Sequence, residues 1–114
     1  MRAEVTQVSA ADAVGLMARE EAWLLDVREL HEWALGHAPT SHHIPMAQIG
    51  ERQDDLPRDA QILVVCHSGV RSATVAQALD RAGYRVANLV GGMTAWAGAG
   101  GAVIDCEGRV GRVD

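Results

Sequence analysis

The residue best suited to covalent chemistry in this chain is Cys66, which stands where an apolar run meets a glycine-containing loop. The run Ile62-Leu63-Val64-Val65 before it predicts a buried strand, and the residues from 72 onward predict a helix. A strand, a tight loop and a helix N-terminus in this order aim backbone N–H groups and the positive end of the helix dipole at the sulfur. Such surroundings favour the thiolate, the reactive form of cysteine. The predicted chemistry is therefore nucleophilic attack by sulfur.

The loop after the cysteine is predicted to bind an anion with its backbone. N–H groups from Ser68 to Ser72 that converge on the sulfur would stabilise a thiolate without rearrangement. Gly69 lets the backbone curl tightly, Arg71 offers a cation to an anionic donor, and Ser72 is the predicted helix N-cap. His67 either tunes the thiolate or faces solvent. The predicted substrate-binding loop comprises His67, Ser68, Gly69, Val70, Arg71 and Ser72.

Composition and charge describe one globular domain. Of the 114 residues, 48% are hydrophobic and 22% charged, which is enough to build a single core. The net charge of −5 is spread along the chain and argues against nucleic acid or an anionic membrane as a partner. Residues 1–7 show no apolar signal segment and no run could span a bilayer, so we expect a cytoplasmic location. Cys66 and Cys106 do not make a disulfide framework, and both are expected to be free.

The elements that must position Cys66 alternate between strands and helices. Ser9 followed by Asp12 predicts the start of a helix over 10–19. Further helices are expected over 29–35, 46–55, 72–82 and 93–97, and strands over 23–27, 61–65 and 85–90. Such a chain predicts the α/β class, a mostly parallel central sheet with helices on both faces. The single domain is predicted to cover residues 1–114, with a partly loose Gly-rich tail over about 97–114.

Two charged residues near the end of the strand over 23–27 are predicted to support the site. The carboxyl ends of parallel strands lie at one edge of a sheet, so we expect Asp26 near Cys66. Asp26 can accept hydrogen bonds from loop N–H groups, and Arg28 can pair with a surface carboxylate such as Glu29 or Glu32. Direct catalysis by Asp26 or Arg28 is the less favoured alternative.

The histidines, the second thiol and the tryptophans outside the loop are given structural interpretations. His37, His42 and His43 lack cysteine partners at zinc spacing, so no metal site is predicted. Cys106 could resolve an intermediate on Cys66 as a disulfide, although sequence separation does not fix the distance between them. The tryptophans expected to anchor the core are Trp23, Trp33 and Trp96.

Four groups of residues occur in an order that resembles a known family. They are Leu25-Asp26-Val27-Arg28 with Glu32-Trp33; Gly36-His37 with Pro39 and Ile44-Pro45; Cys66-His67-Ser68-Gly69-Val70-Arg71-Ser72; and Val90-Gly91-Gly92-Met93 with Ala95-Trp96. Over about residues 8–106 the chain resembles a single-domain rhodanese. The resemblance implies a doubly wound α/β fold and sulfurtransferase chemistry that needs no metal or organic cofactor. In that family the cysteine takes a sulfane sulfur from a donor such as thiosulfate, holds it as a persulfide and passes it to cyanide or a thiol.

Two places depart from the family's usual pattern. Thr40-Ser41-His42-His43 stand where the family usually has small residues and an asparagine before Ile-Pro. Thr40 enters the positive-φ region less readily than glycine, so we expect a different local turn within the same fold. His67 follows the cysteine where many relatives have arginine, which leaves the rim with one fewer permanent charge.

Three functions are compatible with these residues. The first is a thiosulfate or persulfide sulfurtransferase that works by ping-pong chemistry through Cys66, with a small thiol or a partner protein as acceptor. The second is a sulfur-carrier or partner-binding module with little free turnover. The third is a phosphatase or arsenate reductase on the same fold. It is disfavoured because four residues separate Cys66 from Arg71, whereas phosphatases with a cysteine nucleophile place five there.

Overall fold

A computed structural model of the chain describes residues 4–114, so the first three residues of the predicted domain and N-terminal segment lie outside it. The elements in chain order are β1 (Thr6–Val8), α1 (Ala10–Ala18), β2 (Trp23–Asp26), α2 (Leu30–Leu35), β3 (His42–His43), β4 (Ile62–Val65), α3 (Val70–Arg81), β5 (Val86–Leu89) and α4 (Gly92–Gly98). Among the described residues, no helix has the length and apolar character needed to cross a membrane.

The five strands form one parallel sheet in the order β1-β5-β4-β2-β3. The middle strand β4 is buried at every position, which explains its uninterrupted apolar sequence. The register places Asp26 at the end of β2 opposite Val65 at the end of β4. The residues that follow these two strands therefore emerge side by side at the carboxyl edge of the sheet. The predicted α/β class is confirmed.

Helices cover both faces of the sheet, as predicted. On one face, Val75, Ala76 and Leu79 of α3 pack in a cluster with apolar residues of β2, β4 and β5. On the other face, Ala13 of α1 and Trp96 of α4 pack against alternate residues of the same strands. Successive residues of a strand point to opposite faces, so each central strand contributes to both clusters. The two layers hold the carboxyl edge of the sheet rigid, and the loops of that edge build the site.

Three segments differ from the expected elements. His42–His43 was not predicted as a strand, but it forms β3 and pairs in parallel with β2. β1 was not predicted, because it is only three residues long and two of them, Thr6 and Gln7, are polar, but it pairs in parallel with β5. The helix predicted over 46–55 is wrong: the segment forms two short 3₁₀ helices, Met46–Gln48 and Gln53–Asp55. Gly50, a poor helix former, lies between them. Ile49 is buried in the gap between the two turns.

The glycine-rich tail, which was expected to be partly loose, is hydrogen-bonded to the rest of the domain. Ile104 and His37 exchange backbone hydrogen bonds of 2.8 and 2.9 Å in an antiparallel bridge. The last turn of α2 leaves carbonyl groups without helical partners. The tail supplies these partners, since Cys106 N–H donates to the Ala34 carbonyl at 3.1 Å and Arg112 N–H donates to the Leu35 carbonyl at 3.0 Å. The tail therefore holds the C-terminal end of α2 in place by hydrogen bonds to its last carbonyl groups.

Candidate active site

Cys66 follows the last residue of β4 and is only 1% exposed. The Gly69 N–H donates a hydrogen bond of 3.1 Å to its sulfur, and the Ser72 hydroxyl lies 3.3 Å from the same atom. Gly69 is the N-cap of α3, with φ +104°, a conformation that glycine adopts without strain. A Cβ at this position would also approach within 3.2 Å of the Gly91 backbone nitrogen. The loop is therefore tight because a glycine stands at its turn.

The surroundings of the sulfur act on its pKa in two opposed directions. Burial by itself raises the pKa of Cys66. Hydrogen bonds from the Ser72 hydroxyl and from the backbone N–H groups of Ser72, Gly69 and Ser68 lower it. The hydrogen bonds outweigh burial, so the pKa of Cys66 lies below that of an ordinary thiol. The site is arranged to hold a thiolate at the N-terminal end of α3.

The N-terminus of α4 fixes the loop from behind. Met93 N–H donates to the Cys66 carbonyl at 2.7 Å, and Thr94 N–H donates to the His67 carbonyl at 3.2 Å. The C=O and N–H of one planar peptide unit point in opposite directions. Holding the His67 carbonyl towards α4 therefore turns the Ser68 N–H towards the sulfur. Gly92, with φ +60°, permits this approach, because a Cβ there would collide with the backbone of Cys66 and His67.

Arg71 does not stand free at the rim, because it forms a two-pronged ion pair with Glu32 of α2. Its Nη1 and Nη2 atoms lie 2.7 and 2.9 Å from the two carboxylate oxygens. Glu32 also accepts the Glu29 N–H at 3.0 Å in a capping box that starts α2. The Arg71 hydrogen bonds hold the pKa of Glu32 at about 2. Sequence reasoning missed the pair of Arg71 and Glu32. The Glu29-x-x-Glu32 spacing is a recognisable capping signal, and it could have indicated the capping role of Glu32 but not its ion pair.

Asp26 and Arg28 form a second ion pair, buried beneath α2. The Arg28 Nη2 atom lies 2.8 Å from Asp26 Oδ2, and both side chains are at most 2% exposed. Arg28 also donates to the carbonyls of Glu32, at 3.5 Å, and Gly36, at 2.7 Å. The expectation that Arg28 pairs with Glu29 or Glu32 on the surface is wrong, since its carboxylate partner is Asp26. The pair positions α2, which in turn carries the partner of Arg71.

Ser72 lies inside α3 and is not its N-cap, which corrects the prediction. Its hydroxyl is buried and donates to Asn88 Oδ1 of β5 at 2.6 Å. Asn88 Nδ2 donates in turn to Gln7 Oε1 of β1 at 2.9 Å. Asn88 and Gln7 were missed by sequence reasoning. A signal existed for Asn88, because a lone polar residue in a buried strand needs a hydrogen-bond partner.

A cavity of about 360 Å³ lies above the loop. One side is formed by the loop and the start of α3, and the other by α2 and the end of the tail. Residues lining it include Glu32, Leu35, His67, Ser68, Arg71 and Asp114. Its size falls in the range of small-molecule sites. Val70, 73% exposed, stands on the outer surface of the same loop.

The remaining predicted residues brace the neighbouring loop. Trp33 stacks on His37 and His43, with ring centroids 3.6 and 4.8 Å away, and Trp23 stacks on His42 at 3.9 Å. The ring nitrogens of His37 and His43 each contact a backbone carbonyl oxygen, at 2.8 and 2.7 Å. These two tryptophans are half-buried, whereas Trp96 is buried in the core as expected. Cys106 is exposed, and neither it nor Cys66 forms a disulfide in the structure, so the role of Cys106 as a resolving thiol stays a prediction.

The fold and the site together define a class: a doubly wound α/β domain with a buried thiol between its central strand and a helix N-terminus. The chain belongs to the rhodanese-like domain family, whose sequence pattern matches residues 9–99. The resemblance noted from the motifs is thereby confirmed.

Individual relatives match over most of their length. The chain is 41% identical to YtwF of Bacillus subtilis (strain 168), provisionally named a sulfurtransferase, over 96 residues that cover 83% of this chain and 93% of YtwF. It is 31% identical to the thiosulfate sulfurtransferase GlpE of Actinobacillus pleuropneumoniae serotype 7, over 83% of this chain and 89% of GlpE. The crystal structure of a rhodanese-related protein from Thermoplasma volcanium superposes with a TM-score of 0.82 at 30% identity, covering 87% of this chain and 97% of that one.

Proposed function

We propose that this chain is a sulfurtransferase that carries a sulfane sulfur as a persulfide on Cys66. The donor is thiosulfate or another persulfide, and the acceptor is cyanide or a thiol. The observation that carries the proposal is the convergence of the Gly69 N–H, at 3.1 Å, and the Ser72 hydroxyl, at 3.3 Å, on one buried sulfur. The names of the relatives YtwF and GlpE support the same activity.

In the first step, the Cys66 thiolate attacks the outer sulfur of thiosulfate. The new S–S bond forms on Cys66, the S–S bond of thiosulfate breaks, and sulfite leaves with the electron pair. The charge of −3 is the same on both sides of this equation. The product Cys66–S–S⁻ is an anion at the position where the loop N–H groups converge. These groups would stabilise reactant thiolate and product persulfide without reorganisation.

In the second step, the acceptor attacks the outer sulfur of the persulfide. A thiolate acceptor leaves as its own persulfide, cyanide leaves as thiocyanate, and the electron pair of the broken bond returns to Cys66 as thiolate. The S–S bond adds about 2 Å to the reach of the buried cysteine, which would carry the transferable sulfur towards the cavity. The two steps make a ping-pong cycle that needs no metal or organic cofactor.

Arg71 is the proposed binding residue for the anionic donor, and Glu32 is its competitor. The carboxylate of Glu32 already occupies both prongs of the guanidinium. A thiosulfate ion must share or displace this partner, which predicts modest donor affinity. The same ion pair leaves the mouth less positive than the sequence alone suggests.

The loop length favours sulfur over phosphate as the transferred group. Four residues lie between Cys66 and Arg71, and the carbonyls of Cys66 and His67 are held away from the site by α4. A loop of this length is expected to suit one additional sulfur atom better than a tetrahedral ion. Aryl phosphate turnover that disappears in Cys66→Ser would instead support the phosphatase alternative.

A protein acceptor is the second candidate within the same chemistry. Leu30 is 66% exposed and Val70 is 73% exposed. Leu30 begins α2 and Val70 begins α3, the two helices whose residues line the cavity. Apolar side chains beside a site favour contact with a protein surface. A carrier of this kind would load sulfur readily but turn over slowly with cyanide or small thiols, so steady-state rates separate the two candidates.

The proposal includes a reducing compartment such as the cytoplasm. Cys66 and Cys106 are both free thiols in the structure. Exposed Cys106 would be prone to oxidation elsewhere. Neither nucleic acid nor a membrane is a proposed partner, because the net charge is −5.

The decisive experiment is the intact mass of the protein after brief exposure to thiosulfate. We expect wild type to gain one sulfur, roughly 32 Da, that cyanide or dithiothreitol removes. Cys106→Ser is the matched control and should gain the same mass, whereas Cys66→Ser should gain none. Circular dichroism checks that all three proteins are folded. If neither thiosulfate nor a protein persulfide loads the wild type, sulfur transfer through Cys66 is refuted.

A further inference from the structure

An unbroken line of side-chain hydrogen bonds runs from the buried sulfur to the protein surface. It passes from Cys66 to the Ser72 hydroxyl (3.3 Å), from there to Asn88 Oδ1 (2.6 Å), and from Asn88 Nδ2 to Gln7 Oε1 (2.9 Å). Cys66, Ser72 and Asn88 are at most 4% exposed, whereas Gln7 is exposed. The line therefore crosses from α3 through β5 to the edge strand β1.

The direction of these hydrogen bonds depends on the proton of Cys66. A serine hydroxyl has one proton to donate. Either atom can donate across the 3.3 Å contact between Ser72 and Cys66. While the hydroxyl proton is donated to Asn88 Oδ1, Ser72 can only accept from the sulfur, which requires the thiol form. A thiolate has no proton to offer. For Ser72 to stabilise the thiolate, its proton must turn from Asn88 to Cys66.

Asn88 has the chemistry to follow that turn. A side-chain amide carries an acceptor and a donor in nearly the same shape, so its rotation needs no repacking. Once rotated, Nδ2 donates to the Ser72 oxygen and Oδ1 faces Gln7. Gln7 is also an amide. Its rotation breaks the 3.3 Å hydrogen bond from Nε2 to the Val5 carbonyl, which water replaces at this exposed end. Each group then again has a donor facing an acceptor.

We propose that Ser72, Asn88 and Gln7 form a reversible hydrogen-bond relay that reverses direction when Cys66 loses its proton. Ser72 contacts the nucleophile, and Asn88 and Gln7 are positioning residues that act through it. The thiol proton leaves to water, while the hydroxyl and both amides keep their own hydrogens and only change orientation. The relay rests on the proposed function only in that the thiolate is the reactive form.

Charged groups near either end of the relay could also affect the protonation of Cys66. Near the sulfur end are Arg71, whose charge interacts with Cys66, its partner Glu32, and His67 in the loop. Arg28 lines the same cavity and is paired with Asp26. Strand β5 and helix α4 contain no titratable residue. Gln7 lies in a surface depression whose charged lining residues are Glu4, Asp80 and Arg81. Variants at position 7 leave all of these groups in place, and the charge that each new side chain itself adds is tested with separate controls.

The test replaces Gln7 by side chains that can only accept or only donate hydrogen bonds, whatever their orientation. In Gln7→Glu the carboxylate only accepts, which holds Asn88 and Ser72 in the thiol direction. In Gln7→Lys the ammonium only donates, which holds them in the thiolate direction. The measurement is the rate of iodoacetamide alkylation of Cys66 against pH, in a Cys106→Ser background. Loss of one net hydrogen bond predicts a midpoint about half a pH unit higher for Gln7→Glu and lower for Gln7→Lys.

Two controls separate the relay from the charge of the new side chain. Thr6→Glu places the same charge on the adjacent residue of β1, whose side chain points to the other face, and is expected to leave the midpoint near that of wild type. In an Asn88→Leu background the relay is interrupted, so Gln7→Glu is expected to have no effect. Ser72→Thr keeps the hydroxyl and is expected to keep the response to Gln7→Glu, whereas Ser72→Ala is expected to lose it.

The proposal is overturned if Gln7→Glu leaves the midpoint unchanged, or if Thr6→Glu shifts it as much. An equal response in the Asn88→Leu background would also overturn it. Because Gln7 and Thr6 are exposed, these variants are testable even if Asn88→Leu fails to fold. Alkylation does not require sulfur transfer, so failure of the relay and failure to load sulfur from thiosulfate are separate outcomes.

Discussion

Two arginine–carboxylate pairs flank α2, and they differ in how far water reaches them. In the pair of Arg28 with Asp26, both side chains are at most 2% exposed, and the guanidinium also donates hydrogen bonds to backbone carbonyls. In the pair of Arg71 with Glu32, the side chains are 34% and 21% exposed and border the cavity. The same chemical pairing thus has two roles. The buried pair builds the scaffold, and the accessible pair can exchange partners with a substrate.

The largest expected effect comes from breaking the buried pair. Arg28→Met leaves the Asp26 carboxylate buried without its partner and should lower the free energy of unfolding by about 3–5 kcal/mol. Asp26→Leu should do the same by stranding the guanidinium. The double variant removes both charges and is expected to be milder than either single variant. Urea unfolding measures all three, and a double variant with the summed loss would contradict this interpretation.

Removing the cation of the accessible pair should affect activity more than stability. We expect Arg71→Ala to lower kcat/KM for thiosulfate roughly 10- to 100-fold, through loss of a charge-assisted contact to the donor. Its unfolding free energy should change by less than about 1 kcal/mol, as for other accessible ion pairs. Arg52→Ala is the matched control, because Arg52 belongs to an exposed pair with Asp55 at 3.1 Å. Equal kcat/KM values for Arg71→Ala and Arg52→Ala would show that Arg71 does not bind the donor.

Removing the anion of the accessible pair should have a smaller effect of opposite sign. In Glu32→Gln the competing charge is lost, so the KM for thiosulfate should fall by a factor of roughly two to five, within the worth of an accessible ion pair. Glutamine can keep the capping role of position 32 at the start of α2. Steady-state kinetics across thiosulfate concentrations measure this change. An increase in KM would show that Glu32 assists the donor and does not compete with it.

The smallest effect concerns acid stability. The pKa of Glu32 is about 2 in the folded protein, below its ordinary value of 4.5. As the pH falls below 4.5, the unfolded chain takes up a proton at Glu32 before the folded chain does. The stabilisation by this pair is therefore complete above that pH and is lost as the pH falls through about 2. Urea unfolding of wild type and Glu32→Gln across this range should show a difference that shrinks with acid. A difference that stays constant with pH would contradict the assignment.

The parts predictable from sequence are those governed by local patterns. β4 was predicted because a fully buried parallel strand must be continuously apolar, and α1 because Ser9 caps it, with its side chain accepting the Asp12 N–H. The helix after Cys66 was predicted from its apolar stripe, although it begins at Val70, before the predicted position 72. Local periodicity therefore identified most of the elements and their order, but it missed the short strands β1 and β3 and did not fix the exact ends.

The parts that were missed depend on contacts between distant residues. Ser72 looks like a cap in sequence, but Asn88 and Cys66 engage its hydroxyl, and Gly69 takes the capping position. The link between Asn88 and Gln7 spans 81 residues. Arg71 and Glu32 are separated by 39 residues and meet only because the sheet brings α2 beside α3. No local pattern specifies such pairings, since they follow from the packed fold.

The unequal exposure of the two thiols makes this chain its own reporter of folding. Cys106 is exposed, whereas Cys66 is 1% exposed beneath its loop. A bulky maleimide should label Cys106 at once and Cys66 only when the loop or the whole domain opens. The ratio of singly to doubly labelled protein then records the opening rate in a single mass spectrum. Labelling of Cys106 is the internal reference for complete exposure, and the experiment needs no introduced fluorophore or engineered residue.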